Sequence, residues 1–236
     1  ATQIQIIRAL GGSVPDFAHH SLLTGPQGES LSKRLGTLAL RDLREQGVEP
    51  EALLSLMARL GSSQPVELRM SLDEIADGFD LNQFGSAPTK FDFEDLFPLT
   101  ARKLHALDYG VMKDDLSALG VPDDKAEAFW TVARENITTR HDIAKWWALC
   151  ADGAEPMVAD EDVAFIAEAM ALLPEGPLGP DAWSTWTNAV KEATGRKGKG
   201  LFMPLRKALT GQERGPEMAD LLPLLQTIPA RKLAKA

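Results

Sequence analysis

The sequence is poor in the features that place a protein in a membrane or outside the cell. Its single cysteine, Cys150, has no disulfide partner within the chain, and its position after the apolar segment IAKWWAL predicts a buried thiol that is not a nucleophile. No run of about 18 apolar residues occurs, so we expect no membrane-spanning helix. The first ten residues, ATQIQIIRAL, lack the basic-then-apolar order of a secretory signal. We therefore expect a cytoplasmic protein.

Positive charge is also scarce. The 25 Lys and Arg residues face 34 Asp and Glu residues, which gives a formal net charge of −9. This balance excludes binding of nucleic acid through overall charge, although basic residues can still be concentrated on one face. No metal-ligand cluster is visible: the neighbours His19 and His20 would point to opposite faces of a strand, and Asp123-Asp124 and Asp160–Asp162 fall at predicted helix starts, where acids act as caps. We predict no metal site in this chain.

Helical periodicity dominates what is present, and the best strand candidate is FAHHSLLTG near the N-terminus. Three helices are predicted from apolar stripes: PEALLSLMARLG with Leu53, Met57 and Leu60, DEDVAFIAEAMALLP with Val163, Ile166, Met170 and Leu173, and PDAWSTWTNAVKEATG with Trp183, Trp186 and Val190. A fourth, SLDEIADGF, begins with a capping box of Ser71 and Glu74. The segment FDFEDLFPLTARKLHALD is the fifth predicted helix. Because the tryptophans lie on apolar stripes, most of them are predicted to be core residues.

Two changes in composition divide the chain, at residues 81–92 and 108–124. We predict a mainly α-helical protein in three segments: a small mixed α/β segment over residues 1–36, a helical connector over 37–108 and an all-helical domain over 109–236. Ile4, Ile7 and Leu10 recur at helical spacing from the start of the chain, which suggests a fragment of a longer protein, although simple removal of Met is the alternative.

The loop GPQGESLSKRLG, residues 25–36, carries the candidate chemistry. It fails as a phosphate-binding P-loop because no Gly precedes a Lys-Ser or Lys-Thr pair, and as a nucleophile elbow because GESLS lacks the closing glycine. Ser30 and Lys33 have the Ser-x-x-Lys spacing of penicillin-binding proteins, but the Ser-Asp-Asn and Lys-Thr-Gly motifs of those proteins are missing.

The same loop resembles the KMSKS loop of class I aminoacyl-tRNA synthetases, and the match covers Ser30, Leu31, Ser32, Lys33 and Arg34. The surrounding segment ALGGSVPDFAHHSLLTGPQGESLSKRLG is similar to that of glutamyl-tRNA synthetases. The similarity continues in VEPEALLSLMARLG, KFDFEDLFPLTARKLHAL and GRKGKGLFMPLRKALTGQERGPEMADLLPLL. Two positions differ from the family pattern: Ser30 stands where the first lysine of the motif is usual, and Thr100 where asparagine is usual.

The resemblance implies a glutamate–tRNA ligase, which uses ATP with Mg²⁺ to activate L-glutamate and attach it to tRNA(Glu). Lys33 would be the catalytic lysine on the ATP phosphates, with Ser32 and Arg34 completing the ATP-binding loop. Residues 1–36 would end the catalytic domain, 37–108 would contact the tRNA stem, and 109–236 would bind the anticodon. The family's HIGH motif does not occur. The chain therefore resembles a C-terminal portion, expected to be inactive alone, and the family favours a monomer.

Basic residues concentrate between residues 191 and 207. They are either a solvated helix end or a phosphate-binding surface, and the resemblance favours the second interpretation. The predicted tRNA-binding residues are Arg196, Lys197, Lys199, Arg206 and Lys207. Two alternatives stay open: a member of the family that also or instead charges tRNA(Gln), and a non-catalytic helical interaction module, which Ser30 and the negative net charge would suit.

Overall fold

The computed structural model describes residues 2–31 and 39–235. The chain divides into two compact units, Ala1–Leu99 and Thr100–Ala236. Helix α5, Leu96–His105, begins in the first unit and ends in the second. The expectation of a mainly α-helical protein with a small strand component is confirmed, but the second strand lies at Thr89–Lys90, within the segment predicted to be a helical connector.

The described residues of the first unit form short helices and one pair of strands. Its elements are α1 (Thr2–Ala9), β1 (Leu23–Thr24), α2 (Leu40–Glu45), α3 (Pro50–Met57), α4 (Leu72–Asp77), β2 (Thr89–Lys90) and 3-10 turns at Leu81–Gln83 and Phe93–Asp95. The strands are parallel, with Leu23 opposite Thr89 and Thr24 opposite Lys90. The core is formed by Leu43, Val48, Ala52, Leu56, Phe91, Leu96 and Leu99. Only two residues of the predicted strand segment FAHHSLLTG are in β1, because its partner β2 is itself only two residues long.

Helix α3 buries only part of the predicted stripe. Leu53 and Leu60 pack against the core, but Met57 is exposed, the helix ends at Met57, and its fully buried residues are Ala52, Ser55 and Leu56. Since Leu53, Leu54, Leu56 and Met57 are all apolar, helical periodicity alone does not select one face, and packing against the rest of the core decides it. The predicted capping box of α4 is confirmed, because the Ser71 hydroxyl accepts a hydrogen bond from the backbone N–H of Glu74 at 3.2 Å.

The described residues of the second unit form helices joined by loops, without a strand. It contains α6 (Tyr109–Ala118), α7 (Asp123–Ala133), α8 (His141–Asp152), α9 (Val163–Ala171), α10 (Ala182–Thr194), α11 (Lys199–Thr210) and α12 (Met218–Leu221). Four 3-10 segments complete it: Arg134–Asn136, Asp160–Asp162, Leu222–Leu224 and Pro229–Lys235.

Aromatic side chains form much of its interior. Trp130, Trp146, Trp147 and Trp186 are buried and Trp183 is half-buried, which confirms the core assignment. The indole N–H of Trp130 donates to the Leu107 carbonyl at 3.0 Å, so its burial leaves no unpaired donor. Cys150 is also fully buried, and burial raises the pKa of its thiol to about 12, as a structural cysteine requires.

Two details of this unit differ from the sequence expectations. Val163 was predicted in the apolar stripe of α9 but is 52% exposed, while Phe165 is buried in its place. The acids at Asp123-Asp124 and Asp160–Asp162 do lie in first turns, but neither helix start has a side-chain cap. Asp162 instead pairs with Arg196, 34 residues further along the chain.

Gly61, which follows α3 in the chain, lies directly beside the strand pair and gives the first stability prediction. Its φ is +89°, and a Cβ there would lie 2.5 Å from the hydroxyl oxygen of Ser21 and 2.9 Å from that of Thr89. Gly28 has a similar φ of +86° but open space around its Cβ position. We expect Gly61→Ala to lower the free energy of unfolding of the first unit by about 2–4 kcal/mol, and Gly28→Ala by only about 1–2 kcal/mol from backbone strain.

Hydrogen exchange measures this locally, because the N–H groups of Thr89 and Phe91 donate to the carbonyls of Leu22 and Thr24 across the strand pair. Protection of both amides should fall much further in Gly61→Ala than in Gly28→Ala. Equal effects of the two substitutions would mean that the contact with Ser21 and Thr89 is unimportant.

Asp142 gives a pH-dependent prediction for the second unit. Its carboxylate accepts from the backbone N–H groups of Thr138 (2.9 Å) and Thr139 (3.0 Å) and pairs with Lys145. Burial alone would raise the pKa of Asp142, but the bonds from Lys145, Thr139 and Thr138 outweigh it and hold the pKa below its ordinary value of 3.8. The stabilisation is therefore present above that value and is lost as the pH falls through the lower, folded-state pKa.

We expect Asp142→Ala to cost about 1–2 kcal/mol in unfolding free energy at neutral pH, and the difference from wild type to shrink below pH 3.8. All five tryptophans lie in this unit, so urea unfolding followed by tryptophan fluorescence reports on it. Asp152→Ala removes an equal charge from the other end of α8 and should have little effect. A pH-independent loss in Asp142→Ala would contradict the assignment.

Candidate functional site

The first residues of the candidate loop form a tight reversal after β1. The N–H of Gly28 donates to the Gly25 carbonyl at 2.9 Å, and the N–H of Gly25 donates to the Glu29 carbonyl at 2.8 Å. Ser30 then forms an antiparallel bridge with Thr24. The positive φ of Gly28 is needed at the last position of this turn, where other residues would be strained.

Both ends of the loop are held by the first unit. On one side, Leu31 packs against the core, and on the other, α2 begins at Leu40 and buries Leu43. Ser30 and Leu31 of the predicted motif are therefore located, whereas Ser32, Lys33 and Arg34 lie outside the described residues. The roles predicted for them stay predictions.

The basic segment spans the end of α10, a glycine-rich connection and α11. Gly195 ends α10 in the left-handed conformation, and α11 starts after Gly198. The segment places the five predicted tRNA-binding residues in different environments, so they are not equivalent.

Arg196 is engaged within the protein. Its guanidinium pairs with the carboxylate of Asp162, lies 4.0 Å from the ring centroid of Phe165, and donates to the Gly200 carbonyl at 3.3 Å. The Asp162 side chain is 18% exposed and that of Arg196 is 32% exposed. These contacts link the start of α9 to the start of α11, a structural role that no local sequence signal indicates.

Arg206 and Lys207 also have internal partners. Arg206 donates from Nη2 to the Pro216 carbonyl at 2.8 Å, and its buried Nη1 has no hydrogen-bond partner among the described residues. Lys207 donates to Glu213 at 3.1 Å, and this bond is the main reason that the pKa of Glu213 is lowered. Lys197 and Lys199 are exposed and have no hydrogen bond or ion pair within residues 2–31 and 39–235.

A groove of about 880 Å³ lies near Arg206, between α7 and the segment from Gly215 to Leu224. Its lining includes five carboxylate side chains and, among the described residues, no Lys or Arg: Asp124, Glu127, Glu135, Glu217 and Asp220. Carboxylates repel phosphate, so the groove is not a phosphate site. Among all the described residues, no helix is long and apolar enough to cross a membrane, and no group of three metal-binding side chains is found.

Comparison with known proteins gives two ordered matches. Residues 1–98 match the family of class I tRNA synthetases (E and Q), catalytic domain, and residues 116–227 match the anticodon binding domain. The chain thus combines part of a class I tRNA synthetase catalytic domain with an anticodon-binding domain. The first match falls within the unit Ala1–Leu99 and the second within Thr100–Ala236, so the candidate loop belongs to the catalytic-domain match and the basic segment to the anticodon-binding match.

Its relatives include glutamate–tRNA ligases from several bacteria. The chain is 72% identical over 231 residues to glutamate–tRNA ligase 1 of Ruegeria pomeroyi, covering 98% of this chain and 52% of that protein. It is 68% identical over 232 residues to glutamate–tRNA ligase 1 of Roseobacter denitrificans, covering 98% of this chain and 53% of the relative. The chain thus spans about half the length of the curated relatives that it matches.

Solved structures agree on the fold. The glutamate–tRNA synthetase of Elizabethkingia anophelis superposes with a TM-score of 0.74 at 24% identity, covering all of this chain and 54% of that one. A glutamate–tRNA ligase from Elizabethkingia meningosepticum gives a TM-score of 0.74 at 23% identity, covering 99% of this chain and 53% of the other.

The contacts of Arg196 predict that it stabilises the anticodon-binding domain independently of RNA. We expect Arg196→Ala and Asp162→Ala each to lower the unfolding free energy, with a coupling of about 1 kcal/mol in a double-mutant cycle. Lys197→Ala is the matched control, because Lys197 is an exposed neighbour with no such partner, and it should leave stability unchanged. Urea unfolding followed by tryptophan fluorescence provides the measurement. If the stability losses of the two single variants simply add in the double variant, the Arg196–Asp162 pair does not stabilise the domain.

Proposed function

We propose that this chain is the tRNA-binding half of a glutamate–tRNA ligase and also carries the loop that contacts ATP. One observation supports this above the others: 72% identity to a glutamate–tRNA ligase extends over 231 residues and includes both domain matches in order. A helical interaction module that had lost catalysis would have no need to keep the candidate loop together with the surrounding pattern.

In this proposal Lys33 contacts the phosphates of ATP. During activation the glutamate carboxylate attacks the α-phosphorus and pyrophosphate leaves, so negative charge develops on the leaving group. A lysine ammonium placed there offsets that charge without transferring a proton. Ser32 and Arg34 shape the loop around it, and Mg²⁺ accompanies ATP as part of the substrate.

The described residues support this role through the ends of the loop. The bridge between Thr24 and Ser30 and the packing of Leu31 fix where the loop leaves the core, and Leu43 of α2 fixes where it returns. In this role the loop would close on ATP and reopen when pyrophosphate leaves.

We assign the three segments as the sequence predicted: residues 1–36 end the catalytic domain, 37–108 contact the tRNA stem, and 109–236 read the anticodon. Within the last segment, Lys197 and Lys199 are available for phosphates, and Arg206 has one guanidinium nitrogen without a partner. Arg196 and Lys207 act mainly by holding the domain in shape. The protein works as a cytoplasmic monomer, and tRNA(Glu) is its main partner, with tRNA(Gln) as the second candidate.

A chimera tests the function. We would replace the corresponding half of the Ruegeria pomeroyi ligase, which is 72% identical, with this chain, and measure attachment of glutamate to tRNA(Glu) and to tRNA(Gln). We expect charging of tRNA(Glu), and a loss of about 100-fold in kcat when Lys33 is replaced by Ala. Lys113→Ala, at an exposed lysine of α6, is the control and should be silent.

The other outcomes are informative too. Preferential charging of tRNA(Gln) would change the substrate but keep the enzyme class. A folded chimera without activity would support the non-catalytic module, and an active chimera unaffected by Lys33→Ala would remove the proposed role of the loop.

A further inference from the structure

Phe202 is an exposed aromatic side chain on a rigid support. It lies in the first turn of α11, and 45% of its surface is exposed. The centroid of its ring is 6.1 Å from that of Trp183, with 37° between the planes, and Trp183 packs edge-on against Trp186 at 5.7 Å. Trp186 is buried, and its indole N–H donates to the Ala169 carbonyl at 2.8 Å. The exposed ring is therefore the outer member of an aromatic stack anchored in the core.

No other large aromatic side chain among the described residues of the second unit is exposed to this degree. The remaining exposed large hydrophobic residues there are aliphatic: Val111, Leu119, Met157, Val163 and Leu172. Among these exposed hydrophobic side chains, only the aromatic ring offers a flat π face on which a nucleobase can stack, and a ring fixed by packing does so with little loss of side-chain entropy.

The surroundings of Phe202 carry accessible positive charge. Lys199 precedes it by three residues on the same helix, so the two side chains share one face. Lys197 is exposed in the connection before the helix. Around Gly195, Gly198 and Gly200 a Cβ would meet no atom within 4 Å, so the backbone beside these lysines is open. Of the acids in this region, Asp162 is paired with Arg196 and Glu213 with Lys207, and the charge of Lys199 also contributes to lowering the pKa of Glu213. Glu192 lies on α10.

We propose that Phe202 is a stacking platform for one unstacked base of a single-stranded RNA loop, with Lys197 and Lys199 on the adjoining phosphates. Trp183 and Trp186 are positioning residues that hold the ring. Recognition of RNA loops commonly combines a base stacked on an aromatic ring with contacts to the backbone phosphates, and this surface supplies both. The inference rests on the proposed function and adds the residue on which a base stacks.

The test uses the whole chain and a stem-loop with the sequence of the tRNA(Glu) anticodon arm, labelled with 2-aminopurine at one loop position at a time. Stacking on Phe202 should quench one of these labels. Phe202→Ala should weaken binding by about 10- to 100-fold and abolish that quenching, while Phe202→Trp should retain both. Phe79→Ala is the matched control, because Phe79 is equally exposed, at 45%, but belongs to the first unit.

Salt dependence separates the two contributions. Phe202→Ala should leave the slope of log affinity against log salt unchanged, because no phosphate contact is lost. The double substitution Lys197→Ala with Lys199→Ala should reduce the magnitude of the slope by about one to two. Tryptophan fluorescence of each variant verifies that the second unit is folded.

Failure of this inference is distinguishable from failure of the proposed function. Unchanged affinity and quenching in a folded Phe202→Ala variant would overturn the platform, while the charging activity of the chimera would still stand. No salt-dependent binding by the wild-type chain would overturn the platform together with the assignment of the anticodon reader. Quenching lost only in Phe202→Ala, with the salt slope retained, supports the proposal.

Discussion

The place of the candidate loop depends on a parallel pairing of only two residues per strand. Leu23–Thr24 and Thr89–Lys90 are far apart in sequence, and the bonds from Thr89 to Leu22 and from Phe91 to Thr24 join them. So short a ladder is not stable by itself. It is held because Phe91 is buried in the core and because Gly61 allows Ser21 and Thr89 to approach its backbone. Since Ser30 is bridged to Thr24, the start of the loop follows from these contacts.

In the second unit, most of the predicted tRNA-binding residues are already engaged in contacts within the protein. In an acidic chain with a net charge of −9, the basic segment is the main source of local positive charge, yet Arg196, Arg206 and Lys207 are used within the domain. Lys197 and Lys199 alone among the five predicted residues have no hydrogen bond or ion pair within the described part of the chain. Two lysines on this surface supply little RNA affinity through phosphate contacts alone, because each contact contributes modestly and is weakened by salt. Stacking, which is insensitive to salt, is the physical complement that such a surface needs.

What could be predicted from sequence followed from local rules. The start of α3 at Pro50, the end of α10 at Gly195, the cap at Ser71 and the burial of Cys150 depend on nearby residues and were correct. The exposure of Met57 and of Val163 and the partner of Asp162 depend on which distant surface an element meets, and these were missed. Phe202 belongs to the same group: in LFMPL every side chain is apolar, so only the position of Trp183 determines which one faces outward. For the candidate loop, the sequence predicts a phosphate-binding lysine, and the structure adds the contacts of Ser30, Leu31 and Leu43 on either side of it.

Ser30 shows how fold and chemistry are separable in this loop. Its contribution to the described structure is a backbone bridge to Thr24, which any residue with a free N–H and carbonyl can form. Serine in place of the family's first lysine therefore leaves the geometry of the turn intact while removing one ammonium group. The loop GPQGESLSKRLG then retains a single lysine, Lys33. Any charge stabilisation by a lysine of this loop therefore rests on Lys33 alone, so serine at position 30 increases the weight of the role proposed for Lys33.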